Sequence, residues 1–270
     1  MEHNARRRVL RAAGATIALA AAARPARAQA GFAIAAASSL RPALDEVVAV
    51  FRARDGGGPV EVAYGASGNL ARQVVAGAPF RLLFAADEAS VLQVHAAGRA
   101  GDAGHVYARG RLALAVRRDG AVAADPRLAG LVAALRAGAV RRLAIANPAI
   151  APYGLAARQA LEAVGAWELA APRIALGENV AQAAQFVVSG AAEAGFAALS
   201  TMLSPGPAPG LAARVAHAHV DAGLHAPIRH RVALVGTADE RARRLLGFAL
   251  GPEARAILAR HGFDPPGEGE

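Results

Sequence analysis

Short apolar runs alternate with longer amphipathic stretches along most of this chain after residue 31. The first pair is typical: Phe32 to Ala37 is a continuous apolar run, and Leu44, Val47, Val48 and Phe51 recur at helical spacing in the stretch that follows. Alternation of this kind predicts an α/β fold with largely parallel sheets.

The same pattern predicts the remaining elements. Strands are predicted at 60–63, 82–86, 111–116, 143–146, 192–198, 212–217 and 231–236. Helices are predicted at 40–54, 69–76, 88–97, 126–137, 154–164, 180–188 and 239–261. The last helix is expected to break near Gly251-Pro252, because proline lacks the N–H that a helix interior needs.

Residues 1–30 have the parts of an export signal. Arg6 to Arg8 and Arg11 form a basic start, residues 12–23 are apolar, and residues 26–30 offer a small-x-small cleavage site. The apolar run is too short for a bilayer crossing, which needs about 20 residues. The sequence therefore predicts a cleaved signal and a periplasmic mature protein. The consecutive arginines also resemble a twin-arginine signal.

Composition excludes several classes of function. The chain has no cysteine, so disulfides, thiolate metal sites and cysteine nucleophiles are excluded. Six arginines and one glutamate in the first thirty residues supply most of the formal net charge of +9. Aromatic residues make up only 4% of the chain, too few for a surface on which bases stack. We therefore expect no nucleic-acid partner.

Polar groups lie where predicted strands give way to helices. Ser39 and Ser67 occupy N-cap positions in this prediction, and Tyr153 and Val180 lie at the starts of two later helices. Ligands in open α/β sheets collect at the carboxyl ends of strands, where the next helix begins. Helix starts present unpaired N–H groups and the positive end of the helix dipole, so this arrangement favours a bound anion.

Several segments, taken in order, resemble the ModA-type molybdate-binding proteins of ABC importers. The most specific is Y-G-A-S-G-N-L-A-R-Q-V-V-A-G-A-P-F at 64–80. The others are A-A-A-S-S-L at 35–40, A-A-D-E at 85–88, A-N-P-A-I-A-P-Y-G at 146–154, E-N-V at 178–180, G-F-A-A-L-S at 195–200 and the stretch 227–235. The resemblance covers residues 32–264.

The resemblance implies a two-lobed type II periplasmic binding protein, each lobe a mostly parallel sheet flanked by helices, with the ligand in the cleft between lobes. One lobe is expected from residues 31–110 and 228–270, and the other from 111–227. The implied function is capture of a tetrahedral oxyanion, molybdate or tungstate, for the permease subunits of an ABC transporter. A monomer without cofactor or enzymatic activity is expected.

Carried over by position, the resemblance implies five anion-binding residues. Ser39 and Ser67 are expected to contribute hydroxyl and N–H groups, Tyr153 and Val180 main-chain groups, and Ser38 an additional hydroxyl. Many relatives have a tyrosine where this chain has Ala198. We therefore expect the Tyr153 hydroxyl to replace it or to cover the anion.

Another departure from the family is Arg81, where relatives usually have aspartate. An arginine facing the cleft would make its potential more positive. The alternative is a changed ion pair or hydrogen bond at the surface. The sequence leaves both interpretations open.

Three other functions are compatible with parts of the sequence. The first is capture of sulfate, thiosulfate or another oxyanion on the same fold. The second is a zinc-like site using His217, His219 and His225, of which the first two share one face of a strand. The third is a serine hydrolase using Ser67, which is disfavoured because Asn69 replaces the final glycine of G-x-S-x-G.

Overall fold

A computed structural model describes residues 31–204, 214–237 and 239–267. The predicted export signal and part of the predicted 212–217 strand lie outside the described residues. Within them the chain forms two five-stranded sheets flanked by helices.

The first sheet has the order β2-β1-β3-β10-β4. Its strands are β1 (Phe32–Ala37), β2 (Val60–Gly65), β3 (Phe80–Ala85), β4 (His105–Gly110) and β10 (Ile228–Leu234). The second sheet has the order β7-β6-β8-β5-β9. Its strands are β5 (Leu112–Arg117), β6 (Leu143–Ala146), β7 (Ile174–Gly177), β8 (Ala194–Ala198) and β9 (Val215–His219).

Helices follow most of these strands. They are α1 (Arg41–Arg54), α2 (Ser67–Val75), α3 (Glu88–Ala96), α4 (Ala129–Arg136), α5 (Pro152–Ala163), α6 (Trp167–Ala170), α7 (Val180–Val188), α8 (Leu199–Leu203), α9 (Glu240–Leu250) and α10 (Pro252–Arg260). The expected break at Gly251-Pro252 separates α9 from α10. The predicted helix at 40–54 is preceded by a separate 3-10 turn, Ser38–Leu40.

The two-lobed α/β class is confirmed, but the sheets are mixed rather than mostly parallel. β10 is antiparallel to β3 and β4, and β5 is antiparallel to β8 and β9. The remaining pairs, β1 with β2 and β3, and β6 with β7 and β8, are parallel. The antiparallel strands adjoin the two crossovers between the sheets, at Arg111 and at residues 220–227.

The central strands are buried on both faces. Leu82 and Leu83 in β3, and Leu112 and Leu114 in β5, are all fully buried. Strands covered by helices on both sides have no solvent-facing positions, which explains why they appear in the sequence as continuous apolar runs.

None of the described helices combines the length and the apolarity that a membrane crossing requires.

Candidate functional site

A small buried cavity lies where the starts of three helices and one 3-10 turn meet. It is lined by all five predicted residues, Ser38, Ser39, Ser67, Tyr153 and Val180. The other lining residues are Ala37, Gly65, Ala66, Ala86, Ala151, Pro152 and Asn179. No lining residue carries a formal charge, so the site offers hydroxyl and amide groups only.

Ser38 and Ser39 lie in the 3-10 turn after β1, and both are buried. The expectation that Ser39 caps the following helix is wrong, since neither the turn nor α1 has a side-chain cap. The Ser39 carbonyl accepts a hydrogen bond of 2.7 Å from the Ser200 hydroxyl. Ser200 thereby fixes the Ser39 main chain, while the Ser39 hydroxyl is left for another contact.

Ser67 is the first residue of α2 and not its N-cap, which is Ala66. Its hydroxyl oxygen accepts a hydrogen bond of 2.9 Å from the Ala86 N–H. That bond uses a lone pair of the oxygen, so the hydroxyl proton remains available as a donor. The Ser67 side chain therefore does not satisfy its own helix, as an N-cap serine would.

Tyr153 is the second residue of α5, after Pro152. The next two amides, of Gly154 and Leu155, both donate to the Ala151 carbonyl. Pro152 has no N–H, so the Tyr153 N–H is the first-turn donor without an acceptor inside the helix. The Tyr153 phenol is buried, and its oxygen lies 3.3 Å from His230 Nε2.

Val180 begins α7, and Asn179 is its N-cap. The Asn179 side chain accepts hydrogen bonds from the N–H groups of Ala181 and Gln182, each at 3.1 Å. The cap thus satisfies the second and third amides of the helix. The first amide, of Val180, has no acceptor in the helix, and Val180 is among the residues that line the cavity.

A larger cleft of about 420 Å³ shares Ala86, Ala151 and Pro152 with the cavity. Its lining combines two carboxylates, Asp87 and Glu88, with two arginines, Arg72 and Arg229, so an anion there would have to compete with the carboxylates for the cations. The small cavity offers donors without carboxylates, so we place the candidate site there. Its volume of about 10 Å³ is close to what one water molecule needs, so a larger guest requires the lining residues themselves to shift.

Two hydrogen bonds join elements of the two sheets beside the cavity. The Gly68 N–H of α2 donates to the Ile150 carbonyl at 3.0 Å. The Asn69 side chain donates to Glu178 at 3.2 Å, across to the segment before α7. These contacts link the two sheets next to the cavity.

The described residues form neither the metal site nor the serine hydrolase site that the sequence allows. Within the described residues, no group of three or more His, Asp or Glu side chains is placed to hold a metal ion, so His217, His219 and His225 do not form a site. The hydrogen-bond partner of the Ser67 hydroxyl is a main-chain amide and not a histidine.

Arg81 does not line the cavity and donates to Thr237 at 2.7 Å. Ala198, at the end of β8, does not line it either.

Several residues that support the site were not predicted from the sequence. They are Ala86 behind Ser67, Ser200 behind Ser39, and Gly110 and His230 beside Tyr153. Ser200 lies in a segment that carries the resemblance, G-F-A-A-L-S, but its contact with Ser39 spans 161 positions of the chain. Local patterns carry no signal for a pairing of that length.

Comparison with known proteins agrees with this fold. Bacterial extracellular solute-binding proteins match residues 32–264. The molybdate-binding protein ModA of Azotobacter vinelandii is 31% identical over 233 residues, which cover 85% of this chain and 88% of that protein.

Two solved structures are also similar. The periplasmic molybdate-binding protein of Azotobacter vinelandii superposes with a TM-score of 0.76 at 30% identity, covering 87% of this chain and all of that one. The sulfate-binding protein SubI of Mycobacterium tuberculosis superposes with a TM-score of 0.71 at 18% identity, covering 88% of this chain and 87% of that one, a likeness of fold alone. The chain therefore belongs to the bacterial extracellular solute-binding proteins and, within them, to the ModA type.

Proposed function

We propose that this protein captures a tetrahedral oxyanion, molybdate or tungstate, and presents it to the permease subunits of an ABC importer. The observation that carries this proposal is the set of donors around an uncharged cavity. Ser38, Ser39, Ser67, Tyr153 and Val180 line it, and the serines have hydroxyl donors while Tyr153 and Val180 have first-turn amides. An oxyanion dianion has acceptor atoms only, and donors are what it needs.

Neutral donors are sufficient for tight binding. Hydrogen bonds to a charged group are worth about 1.5–3 kcal/mol each. Six to eight of them outweigh the costs of desolvation and closure by enough for micromolar to nanomolar affinity, about −8 to −12 kcal/mol. The absence of a formal charge among the lining residues also favours release, since no ion pair has to be broken when the anion leaves.

The relatives support molybdate over sulfate as the anion. The molybdate-binding relatives are about 30% identical to this chain, whereas the sulfate-binding one is 18% identical. Molybdate and tungstate are larger than sulfate, so cavity size in the closed state is the property that selects among them.

The proposal also states where the protein works and how its chain is divided between two lobes. Residues 1–30 act as the export signal, the mature chain works in the periplasm as a monomer, and residues 31–110 with 228–270 form one lobe and 111–227 the other. The hydrogen bonds from Gly68 and Asn69 support closure of these lobes over the anion. The permease then recognises the closed form.

Calorimetry and thermal unfolding with molybdate, tungstate and sulfate test the proposal on the purified protein. Molybdate at a hundred times its dissociation constant should stabilise the fold by about 2.7 kcal/mol. Sulfate at the same concentration should stabilise it much less. A larger effect of sulfate would reject the assignment of the anion, and no effect of any oxyanion would reject the function.

Substitution of Ser67 by alanine links the binding to this cavity. It should weaken molybdate binding by about 1.5–3 kcal/mol, because a charge-assisted hydrogen bond is lost. Ser189→Ala is the matched control, since Ser189 is exposed and its hydroxyl contacts only the Phe186 carbonyl. Equal affinities of these two variants would contradict the placement of the site.

A further inference from the structure

The Tyr153 phenol fits a socket between two residues that adjoin the lobe crossovers. Gly110 ends β4, directly before the first crossover, and a Cβ on Gly110 would overlap the Tyr153 hydroxyl oxygen. His230 lies in β10, which follows the second crossover, and its Nε2 is 3.3 Å from the same oxygen. Only glycine at position 110 leaves room for the phenol, so the contact with His230 is built into the fold.

Ser39, which lines the cavity together with Tyr153, is a second polar neighbour of the Tyr153 hydroxyl. Burial raises the pKa of the Tyr153 phenol, and interaction with the Ser39 side chain partly offsets that rise. The Ser39 Oγ is itself buried and has no hydrogen-bond partner of good geometry among the described residues. Tyr153 thus has His230 as its neighbour in the interior and Ser39 as its neighbour in the cavity lining.

His230 is neutral in this position. Its side chain is fully buried and is packed edge-to-face against the rings of Tyr107, Tyr153 and Phe263, whose ring centroids lie 6.1, 6.0 and 5.2 Å away. None of these neighbours carries a charge at neutral pH that would stabilise an imidazolium. Burial therefore lowers the pKa of His230, to about 3.

A neutral imidazole carries one proton. The nitrogen that holds this proton sets which groups donate and which accept in the hydrogen bonds among His230, Tyr153 and Ser39. If Nε2 carries the proton, it donates to the Tyr153 oxygen, the Tyr153 O–H donates to Ser39 Oγ, and the Ser39 O–H points into the cavity. If Nδ1 carries the proton, Nε2 accepts from Tyr153, Tyr153 accepts from Ser39, and Ser39 turns lone pairs toward the cavity. The first arrangement leaves the Ser39 proton free for an oxyanion, whereas in the second the Tyr153 oxygen competes with the anion for that proton.

The surroundings of His230 Nδ1 agree with the arrangement in which Nε2 carries the proton. His230 Nδ1 has no hydrogen-bond partner among the described residues. As a protonated nitrogen it would be a buried donor without an acceptor, a kind of group that folded proteins rarely retain. With the proton on Nε2, the unpaired atom is instead a lone pair among aromatic rings.

We propose that His230 is a positioning residue that, as the Nε2–H tautomer, orients Tyr153 and through it makes Ser39 a hydrogen-bond donor to the bound oxyanion. This inference rests on the proposed function, because it concerns the same site. It does not require His230 to contact the anion.

Calorimetry with molybdate on the full chain and its variants tests the inference. His230→Leu removes the donor and should weaken binding about fivefold, the equivalent of one ordinary hydrogen bond. His230→Gln places an amide N–H near the position of Nε2 and should stay within about twofold of the wild type. In a Tyr153→Phe background, His230→Leu should cause no additional loss, because the group through which it acts is gone.

The control is His105→Leu, an exposed histidine on the adjacent strand β4, which should bind as the wild type does. Unchanged affinity of His230→Leu, or an equal loss with and without the Tyr153 hydroxyl, would overturn the inference while leaving the proposed function intact. Absence of oxyanion binding by the wild type would instead reject the proposed function. The melting temperature of each variant without ligand reports whether it folds.

Nitrogen NMR of the histidine rings in the wild type gives a second test that needs no variant. The expected result is a neutral His230 ring with its proton on Nε2, with and without molybdate. A proton on Nδ1 in the molybdate complex would overturn the inference.

Discussion

A protonated His230 would have no acidic partner among the described residues. The stability of the protein should therefore depend on pH. Its pKa is lowered to about 3 by burial, whereas an unfolded chain has the ordinary value of 6.5. Between these values the unfolded state binds the proton and the folded state does not, so unfolding becomes more favourable as the pH falls. The stability that the neutral ring provides is therefore complete above about pH 6.5 and decreases below it.

We predict that His230→Gln flattens this pH dependence. The difference in slope from the wild type should approach about 1.4 kcal/mol per pH unit between pH 6.5 and 5. Urea unfolding at several pH values measures it, and the two facing phenols, of Tyr107 and Tyr153, do not titrate in that range. Parallel profiles of wild type and variant would show that His230 has the same pKa in the folded and unfolded states, which contradicts its burial as a neutral ring.

The serines of the site illustrate what could be predicted for single residues. The positions of Ser39 and Ser67 between strand and helix followed from hydrophobic patterning, and the structure brings both to one cavity. Their expected role as N-caps was wrong, because a 3-10 turn precedes α1 and Ala66 precedes α2. Such shifts of one or two residues depend on tertiary contacts, for example the bond from Ala86 to Ser67, which no local pattern records.

At the scale of elements, α9 is fixed to the end of α1 by a buried ion pair. Arg241 Nε lies 2.6 Å from Asp55 Oδ2, and both side chains are about 8% exposed. Arg244 donates to the other carboxylate oxygen at 2.7 Å. Burial alone would raise the pKa of Asp55, but the hydrogen bonds from Arg244 and Arg241 outweigh it, and the pKa is lowered.

We predict that Asp55→Asn destabilises the protein by about 3 kcal/mol at pH 7, because it leaves a buried arginine without its counter-charge. A lowered carboxyl pKa contributes stability above the unfolded value and loses it as the pH falls through the folded value. The penalty should therefore shrink below about pH 4, which chemical denaturation at several pH values would measure. Asp119→Asn is the control, since the Arg117–Asp119 pair is exposed on the Asp119 side and should matter little. A penalty that does not change with pH would contradict this account.

Strands and helices could be predicted from the sequence where their runs of apolar residues are long. The strand at 32–37 and the helix at 180–188 have the bounds that the sequence predicts. β4 and β7 were missed, because the first contains His105 and Arg109 among its six residues and the second has only three apolar residues before Gly177. The antiparallel pairing of β10 and β5 depends on how the chain crosses between sheets, which hydrophobic periodicity does not encode.

At the scale of the whole molecule, closure depends on a close approach at Gly68. A Cβ on Gly68 would lie 3.1 Å from the Ile150 carbonyl oxygen and 3.3 Å from the Ile150 Cα. Both are main-chain atoms, which cannot rotate away as the end of a side chain can. The smallest side chain would therefore push α2 and the loop before α5 apart by a few tenths of an ångström.

We predict that Gly68→Ala weakens molybdate binding by about three- to tenfold, through a less favourable closed state. Small-angle scattering without ligand should show a more open average shape than the wild type. Gly247→Ala is the matched control, because Gly247 is exposed within α9 and a Cβ there would meet no atom of a neighbouring element within 4 Å. It should leave affinity unchanged and stabilise the helix by about 0.5–1 kcal/mol. Wild-type affinity in Gly68→Ala would show that this contact does not limit closure.

The socket of Tyr153 is formed by residues next to both crossovers between the lobes. A substitution there, at Gly110 or His230, would therefore change the surroundings of Tyr153 in the cavity and the chain next to the crossovers at the same time. Under the proposed function, a change of anion preference by such a substitution should be accompanied by a change in the rates of opening and closing. Ser38 and Val180, which line the cavity far from the crossovers in sequence, are the positions where selectivity can diverge while the motion is retained.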